Sequence, residues 1–385
     1  MHRAGLKPQL KMEHIDITIH TNLETNLKDG ASEIVSRLRP EWGSRTQFIH
    51  KTFSDGLTNK LVGVYIEGRK NEMVLVRVYG DHSDLMIDRQ KEIKNMHLLY
   101  ENGCGAKLYA SFQNGIAYQF LSGSTLTVDA MSHPSVFPFV AAACAKMHSI
   151  KLPTDDVDAT KKKACIWKLL RKLQKLLPEG FPNSPEKHIL LKNTIPFTKA
   201  ELAGEIEKME HVFGEKILDE TEVVFCHNDL MYNNILISYE DAYRHEVPCI
   251  SFIDYEYGDW NYREFDIANH FTEFAGLPDK ETGEVNFGKC YPSKSFQLKW
   301  IEAYLINVGS QGCGGEVENS TENEVKALQA LVDRFRPLPN LVWGMWSLVQ
   351  AEHSAIEFDY IGYARQRLEQ YKTDSRNIFF CESCK

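Results

Sequence analysis

Two short polar segments, each placed directly after an apolar run, constrain the fold of this chain more than any other feature of its 385 residues. The first, residues 227–234, follows Val223–Cys226 and reads H-N-D-L-M-Y-N-N, a pattern H-x-D-x-x-x-x-N. The second, residues 254–256, follows the apolar residues 250–253 and reads D-Y-E. Because both apolar runs have the composition of buried β-strands, we expect two strands that each end in a polar loop.

The residue types in these segments match the requirements of phosphoryl transfer. A carboxylate must orient the substrate hydroxyl, and oxygen ligands must hold Mg²⁺ between the nucleotide phosphates. Asp229 can fill the first role. Asn234, Asp254 and Glu256 can fill the second, and we expect the last two on one face of the second strand. Either segment alone can match a kinase motif by chance, whereas both segments in this order indicate a kinase. We expect His227 to brace the loop by hydrogen bonds.

The preceding part of the chain predicts a small β-rich lobe. Residues 61–66 and 73–79 are rich in Val, Ile and Tyr, and glycines break both runs, which is typical of antiparallel strands joined by short turns. A helix follows over residues 87–102, and Ser83 or Asp84 is its expected cap. Two more short strands are expected to return to the sheet, around Leu108 and Ala117.

This lobe also contains candidate contacts for a nucleotide. The loop of residues 53–60 offers backbone N–H groups and short polar side chains that can approach phosphates. Arg77 and Glu92 can form the ion pair that holds a cation over the α and β phosphates. The backbone of residues 118–121, which lead out of the lobe, can read an adenine edge. The nucleotide-binding candidates are therefore Asn59, Arg77, Glu92, Gln119 and Leu121.

After Gly123 the pattern changes to helices, so we expect an N-terminal nucleotide-binding lobe of residues 1–122 and a C-terminal catalytic lobe of residues 123–385. The predicted helices are 136–148, 164–177, 199–213, 295–308, 323–335 and 341–371. The last helix is expected to bend or divide near Gly362. The predicted fold class is α+β, with a small antiparallel β-rich N-lobe and a large, mainly helical C-lobe.

Composition excludes several classes of protein. The 44 Lys+Arg against 53 Asp+Glu give a net charge of −9, which disfavours a nucleic-acid partner and favours a small ligand. No uncharged stretch offers the ~18 to 20 apolar residues of a membrane span, so we expect no integral membrane contact. Residues 1–16 lack the apolar core of a secretory signal, and we expect a cytoplasmic protein. Its nine cysteines, including the terminal Cys381 and Cys384, are then reduced thiols.

Three segments resemble the choline/ethanolamine kinase family: HNDLMYNNIL, FIDYEYGDWNYREFDIANHFTEFAG and VWGMWSLVQAEHSAIEFDYIGYA. The similarity extends from about residue 53 to residue 371. It implies a bilobal fold like that of protein kinases and phosphorylation of an amino-alcohol hydroxyl with MgATP. It further implies that Asp229 is the catalytic base, that Asn234 and Asp254 bind the metal, and that Glu256 contacts a second metal. Asp266 would brace the catalytic loop.

The resemblance also implies a substrate pocket formed by Glu273, Trp343, Trp346 and Tyr363. Aromatic faces and a carboxylate both suit a cationic ammonium group. After Glu273, residues 274–278 read F-A-G-L-P, where choline kinases tend to carry a Trp and, shortly beyond, a Tyr. A quaternary ammonium depends on aromatic enclosure, whereas a primary ammonium donates hydrogen bonds to a carboxylate. The sequence therefore favours ethanolamine, and with it the first step of the CDP-ethanolamine route to phosphatidylethanolamine.

Several alternatives remain open at this stage. The acceptor can be choline or an amino sugar, although the aromatic pair argues against a bulky sugar. The two tryptophans lie three positions apart and can equally belong to an ordinary helix core. A catalytically inactive nucleotide-binding scaffold is also compatible with the fold, although all four catalytic and metal-binding residues are intact. A homodimer is possible, since isologous dimers are common.

Overall fold

The computed structural model of the protein describes residues 13–53, 59–80, 87–151, 164–216, 221–242, 245–309, 321–354 and 356–380. The chain divides into two compact units, Met1–Ser122 and Gly123–Lys385. The first unit is built around a β-sheet, and the second is mainly helical with a few short strands. The predicted α+β class is therefore confirmed.

The first unit contains a six-stranded sheet with the order β1-β5-β6-β4-β3-β2. Its strands are β1 (Glu13–Ile15), β2 (Ile49–Phe53), β3 (Lys60–Tyr65), β4 (Val74–Val78), β5 (Leu108–Phe112) and β6 (Gly115–Gln119). Every neighbouring pair is antiparallel except β1 and β5, which are parallel. The predicted antiparallel sheet thus gains one parallel edge strand, the three-residue β1, which the sequence pattern did not indicate.

One face of this sheet is covered by α1 (Glu24–Leu38), a helix that the sequence pattern did not reveal. Residues on both elements form a single apolar core, which includes Ala31, Ile34 and Val35 of the helix and Val74, Val76 and Val78 of β4. Because side chains alternate along a strand, Arg77 lies on the opposite face of β4 from these valines. The central strand thus separates the apolar core from the candidate nucleotide-binding residue.

The helix after β4 is α2 (Arg89–Glu101), which begins two residues later than predicted. The Asp88 carboxylate accepts a hydrogen bond from the Lys91 backbone N–H at 3.1 Å and caps the helix. The expectation that Ser83 or Asp84 provides this cap is therefore wrong, and both residues lie outside the described part of the chain. Asp is a favoured N-cap residue wherever its side chain can reach the third residue of the helix.

The described helices of the second unit are α3 (Val128–Met131), α4 (Phe137–His148), α5 (Cys165–Leu176), α6 (Pro185–Thr194), α7 (Lys199–Lys216), α8 (Arg263–Thr272), α9 (Phe287–Cys290), α10 (Lys294–Gly309), α11 (Glu322–Phe335), α12 (Pro337–His353) and α13 (Tyr360–Phe380). Five of the six predicted helices, which correspond to α4, α5, α7, α10 and α11, are confirmed to within three residues, whereas α3, α6, α8 and α9 were not among the predicted ranges. The predicted helix 341–371 is divided, but the break comes earlier than Gly362. Ser354, in an extended conformation, ends α12, and Gly362 lies in the first turn of α13.

Two short sheets carry the polar segments of the second unit. Strands β7 (Ser124–Thr125), β9 (Ile235–Ala242) and β10 (His245–Phe252) form one antiparallel sheet, and β8 (Val223–Cys226) pairs with β11 (Asp259–Tyr262). The structure corrects the expectation that Asp254 and Glu256 extend from a strand. Asp254 has a left-handed backbone with φ +61°, and Glu256 lies in a 3₁₀ turn. The chain reverses here because β11 must return to pair with β8.

Within the described ranges, no helix has both the length and the apolar character that crossing a bilayer requires. The described cysteines are free thiols: Cys104, Cys144, Cys165, Cys226, Cys249 and Cys290. Cys381 and Cys384 lie outside the described residues.

Gly115 provides a test of the sheet in the first unit. It lies opposite Val78 in the β4–β6 pair, and a Cβ atom added there would overlap the Arg77 carbonyl and the Phe112 ring. We expect Gly115→Ala to lower the free energy of unfolding by about 1–3 kcal/mol, measured by urea denaturation. Gly204→Ala in α7, where a Cβ would meet no atom of the described chain within 4 Å, should leave stability unchanged or raise it by up to ~1 kcal/mol. Equal midpoints for the two variants would contradict this packing.

Candidate active site

The loop after β8 is braced by His227, whose side chain is fully buried. Its Nε2 donates a hydrogen bond to the Ile253 carbonyl at 2.9 Å, and its Nδ1 accepts one from the Asp229 backbone N–H at 3.3 Å. A ring that donates at one nitrogen and accepts at the other is neutral. Burial likewise lowers the pKa of His227. The predicted bracing role of this histidine is confirmed by these contacts.

The start of the same loop is fixed by Asp266 of α8. Its carboxylate accepts hydrogen bonds from the backbone N–H groups of His227 and Asn228 at 2.9 and 2.7 Å, and it contacts His148 Nε2 at 3.1 Å. Burial by itself would raise the pKa of Asp266, but the hydrogen bond and charge of His148 lower it below its usual value. Cys144 completes a buried group close enough to share a metal ion. Since Asp266 already binds the loop, we assign this group a structural role.

Asn234 holds the candidate base in place. Its Nδ2 donates to the backbone carbonyl of Asp229 at 2.8 Å and to Oδ2 of the same residue at 3.2 Å. The Asn234 Oδ1 atom accepts no hydrogen bond from the described residues. An amide that donates through nitrogen to the base therefore keeps its oxygen available for another partner, such as a cation.

Four carboxylates lie within electrostatic reach of one another in this unit. Burial raises the pKa of Asp229 well above its usual value, and the negative charges of Glu273, Asp254 and Glu256 raise it further. Asp254 is exposed and Glu256 is half-buried. Such mutual repulsion is relieved when a cation binds among the carboxylates, and hard oxygen donors are the ligands that Mg²⁺ prefers. The residues present therefore fit a magnesium site.

The two predicted tryptophans of α12 contact each other edge to face, with ring centroids 5.7 Å apart. Both indole nitrogens are bound: Trp343 donates to Asn269 Oδ1 and Trp346 donates to the Tyr257 hydroxyl, each at 2.8 Å. The Tyr257 ring also packs against Trp343 at 5.4 Å. Trp343 is buried, so it belongs to the core as well, whereas Trp346 remains half-exposed.

Tyr257 connects this aromatic group to the carboxylates. Burial raises the pKa of its hydroxyl well above the usual value, and the charges of Glu256, Asp229 and Asp254 act in the same direction. Tyr257 therefore links two groups of side chains. It hydrogen-bonds to Trp346 of the aromatic wall, which consists of Tyr257, Trp343 and Trp346, and it lies within reach of the charges of Asp229, Asp254 and Glu256. The tryptophans and the carboxylates were both predicted from the sequence, and the structure brings them together.

The Glu273 carboxylate is paired with an arginine that was not among the predicted site residues. Glu273 Oε1 accepts a hydrogen bond from Arg367 Nη2 at 2.7 Å, and both side chains are buried. Arg367 Nε also donates to the Tyr363 hydroxyl at 3.0 Å. One arginine of α13 therefore contacts two of the predicted substrate residues.

In the first unit, Arg77 and Glu92 do form an ion pair. Their side chains are only 8% and 3% exposed, so the pair is largely shielded from water. Arg89 also reaches Glu92, with Nη1 at 3.0 Å from Oε2. The predicted ion pair is thus present and buried, and Glu92 binds Arg89 as well as Arg77.

The remaining nucleotide-binding candidates differ in which of their hydrogen-bonding groups are already bound within the protein. The Gln119 side chain accepts a hydrogen bond from the Lys107 backbone N–H at 3.2 Å, so it is used inside the sheet. Leu121 makes no hydrogen bond within the described chain, which leaves its backbone groups available. Asn59 Oδ1 accepts from the Gly80 N–H at 3.4 Å. The rest of the predicted phosphate loop, residues 54–58, lies outside the described residues.

Sequence reasoning missed four residues that organise the site: His148, Tyr257, Asn269 and Arg367. Arg367 could have been found, since it lies one helical turn after Tyr363 and so shares its face. Tyr257 and Asn269 lie inside the family-like segments and follow or precede named residues closely. No sequence signal identified His148, because its partner Asp266 is more than a hundred residues away.

Comparisons with known proteins agree with this geometry. A sequence profile described as choline/ethanolamine kinase matches residues 50–372, a range that includes every candidate residue. Ethanolamine kinase 1 of Homo sapiens is 35% identical over 360 residues, covering 93% of this chain and 74% of that protein. Ethanolamine kinase of Drosophila melanogaster is 38% identical over 302 residues, covering 78% of this chain and 54% of that protein.

Solved structures show the same fold. An ethanolamine kinase of Plasmodium vivax superposes with a TM-score of 0.75 at 25% identity, covering 91% of this chain and 89% of that one. A choline kinase of Cryptosporidium parvum gives a TM-score of 0.72 at 23% identity over 91% of this chain and 96% of that one, and this likeness concerns the fold alone. The profile, the sequence relatives and the fold all agree with the family that the Asp229 and Asp254 segments resemble. The chain belongs to the choline/ethanolamine kinase family.

Proposed function

We propose that this protein transfers the γ-phosphoryl group of ATP to the hydroxyl of ethanolamine, forming phosphoethanolamine and ADP. The observation that carries the proposal is that Asn269 of α8 joins the aromatic pair to the loop of Asp229, since it accepts a hydrogen bond from Trp343 and donates one to the Asn228 carbonyl. The negative charge of Glu273 also acts on Asp229 in the same unit. Aromatic faces and a carboxylate suited to an ammonium group thus accompany a carboxylate suited to a hydroxyl. Ethanolamine carries these two groups two carbons apart. The similarity to proteins named ethanolamine kinase supports the same acceptor.

Asp229 is proposed as the catalytic base. Its carboxylate would accept a hydrogen bond from the ethanolamine hydroxyl and take the proton as the new O–P bond forms. Asn234 fixes Asp229 through two hydrogen bonds, one to its backbone carbonyl and one to its carboxylate, and the neutral His227 binds the backbone N–H of the same residue.

Asn234, Asp254 and Glu256 are proposed to hold Mg²⁺, with Glu256 contacting a second ion. The free oxygen of the Asn234 amide and the repulsion among the carboxylates support this assignment. When bound, MgATP supplies the transferred phosphoryl group and the positive charge that offsets the negative charge developing on it.

The first unit is proposed as the nucleotide-binding lobe. The Glu92 carboxylate fixes Arg77, whose guanidinium would contact the α and β phosphates. Asn59 would contribute at the end of the phosphate loop. The backbone of Leu121 is available to read the adenine edge. Gln119 would take part only through its backbone carbonyl, since its side chain and its N–H are both bound to the backbone of Lys107.

The acceptor pocket is proposed to consist of Glu273, Trp343, Trp346 and Tyr363. The half-exposed Trp346 offers a ring face to the ammonium, and Glu273 offers an oxygen to its N–H groups. The product would enter the CDP-ethanolamine route to phosphatidylethanolamine. A cytoplasmic location and a homodimer stay predictions of the sequence.

The experiment that tests the proposal incubates the purified protein with MgATP and ethanolamine, choline or water, and identifies the product by mass spectrometry. We expect phosphoethanolamine to form fastest. Faster phosphorylation of choline at equal low concentration would show that the acceptor is wrong and the kinase assignment right. No product with either amino alcohol would favour the inactive scaffold.

For the catalytic base we expect Asp229→Ala to lower kcat by about 10²–10⁴-fold while the affinity for ATP stays nearly unchanged, because the carboxylate serves the hydroxyl and not the nucleotide. Steady-state kinetics and ATP titration calorimetry measure the two effects. Asp129→Ala, a change of an exposed aspartate on α3, is the matched control and should retain full activity. An Asp229→Ala enzyme that keeps most of its kcat would exclude this residue as the base.

For the metal site we expect both Asp254→Ala and Asn234→Ala to lose activity at low Mg²⁺. Raising Mg²⁺ should restore more rate to Asn234→Ala, because that variant keeps the charged ligand. Calorimetric titration with Mg²⁺ should show the same order of affinities without reference to turnover. Asn26→Ala on α1 serves as the amide control. Mg²⁺ responses identical to wild type in both variants would argue against these ligands.

For the acceptor pocket we expect Glu273→Gln to lower kcat/KM for ethanolamine by the equivalent of about 1–3 kcal/mol, since a charge-assisted hydrogen bond is lost. Choline, which has no N–H donor, should be affected less. Trp346→Ala should weaken both acceptors by about 0.5–2 kcal/mol, because a ring face serves either ammonium. Equal losses for both acceptors in Glu273→Gln would show that this carboxylate acts only through its charge.

A further inference from the structure

The guanidinium of Arg367 occupies a fully enclosed position beside the proposed acceptor pocket. Its side chain is 1% exposed. Nη2 donates to Glu273 Oε1 at 2.7 Å, Nε donates to the Tyr363 hydroxyl at 3.0 Å, and Nη1 donates to Asn340 Oδ1 at 3.3 Å. The guanidinium also stacks on the Phe287 ring, 3.9 Å from its centroid. Contacts on every side therefore hold this group in one orientation.

We propose that Arg367 is a positioning residue that makes the acceptor pocket select for an ammonium group with N–H donors. This inference rests on the proposed function and deepens it. Arg367 compensates the charge of Glu273 and binds one of its two oxygens. The other oxygen, Oε2, accepts no hydrogen bond from the described residues. Glu273 thus offers a fixed acceptor atom instead of an uncompensated negative charge.

The difference matters for the choice between two cations of equal charge. An uncompensated buried carboxylate attracts any cation, with or without N–H groups. A carboxylate already paired with arginine attracts a second cation less by charge, and its remaining oxygen gains mainly from a hydrogen bond. A primary ammonium has three N–H donors, whereas a quaternary ammonium has none. The ion pair therefore shifts recognition from charge to hydrogen bonding.

The same guanidinium also fixes an aromatic residue of the pocket. Tyr363 lies one helical turn before Arg367 on α13, and its hydroxyl accepts hydrogen bonds from Nε and Nη2 of Arg367. The acceptor oxygen of Glu273 and the ring of Tyr363 are consequently held by one rigid, planar group. Lysine, which carries a single point of charge on a flexible stem, can bind one of these two partners but not reproduce the fork.

The test compares kcat/KM for ethanolamine and choline in wild type, Arg367→Gln and Arg367→Lys. We expect the ethanolamine-to-choline ratio to fall by about tenfold in Arg367→Gln, mainly through a higher KM for ethanolamine, since a hydrogen bond to a charged group is weakened. Arg367→Lys should recover part of the ratio. The KM for ATP should stay within about twofold of wild type, because the nucleotide-binding candidates lie in the first unit. A twofold change in KM corresponds to only about 0.4 kcal/mol.

The matched control is Arg365→Gln on the same helix. Arg365 is more exposed and pairs with Glu284 at 2.7 Å and Glu369 at 3.3 Å, away from the named pocket residues. Its removal should leave the ratio unchanged. If Arg367→Gln does not fold, Tyr363→Phe removes one partner of the guanidinium without changing a charge. We expect the ethanolamine-to-choline ratio to fall by about threefold in this variant, because the hydrogen bond to Glu273 is weakened only in part.

The outcomes separate the inference from the function beneath it. Wild-type protein that phosphorylates neither amino alcohol would remove the proposed function and this inference with it. Wild-type activity with an unchanged ratio in the Arg367 variants and in Tyr363→Phe would leave the function standing and overturn the inference alone. An equal loss of both acceptors would likewise assign Arg367 a purely structural role.

Discussion

The carboxylate of Asp266 is the contact on which the arrangement of the site depends. It accepts two backbone hydrogen bonds from the loop after β8 and contacts His148 on α4, so one buried group joins α4, α8 and this loop. Asn228, whose N–H it binds, has a left-handed backbone at φ +65°. A non-glycine residue keeps such a conformation only where its surroundings fix it. The position of Asp229 therefore follows from Asp266.

Asn269, on the same helix as Asp266, extends this fixed region to the proposed acceptor pocket. Its side chain accepts from Trp343 at 2.8 Å and donates to the Asn228 carbonyl at 3.4 Å. Asn228 in turn donates from Nδ2 to the Tyr257 carbonyl at 2.9 Å. Trp343, Tyr257 and Asn228, the residue before Asp229, are thus joined in one hydrogen-bonded network. A buried polar network of this kind fixes relative positions when all of its members are paired.

The carboxylates of the second unit fall into two groups with different charge balance. Burial raises the pKa of Asp229, and the charges of Asp254 and Glu256 raise it further, so a cation bound among these carboxylates would relieve the repulsion. Glu273 contributes to the same repulsion but is partly compensated by Arg367. One part of the site therefore suits a metal ion held by charge, and the other suits an acceptor recognised by its hydrogen bonds.

The sequence by itself determined the fold class, most helices, the strand β8 and the segments that carry Asp229 and Asp254, because hydrophobic periodicity and local motifs report on neighbours along the chain. It did not determine the left-handed turn at Asp254, which the return of β11 to β8 imposes. Nor did it show that Arg367 pairs with Glu273, ninety-four residues away in sequence. Charge compensation between distant helices depends on how they pack, and only the tertiary structure decides it.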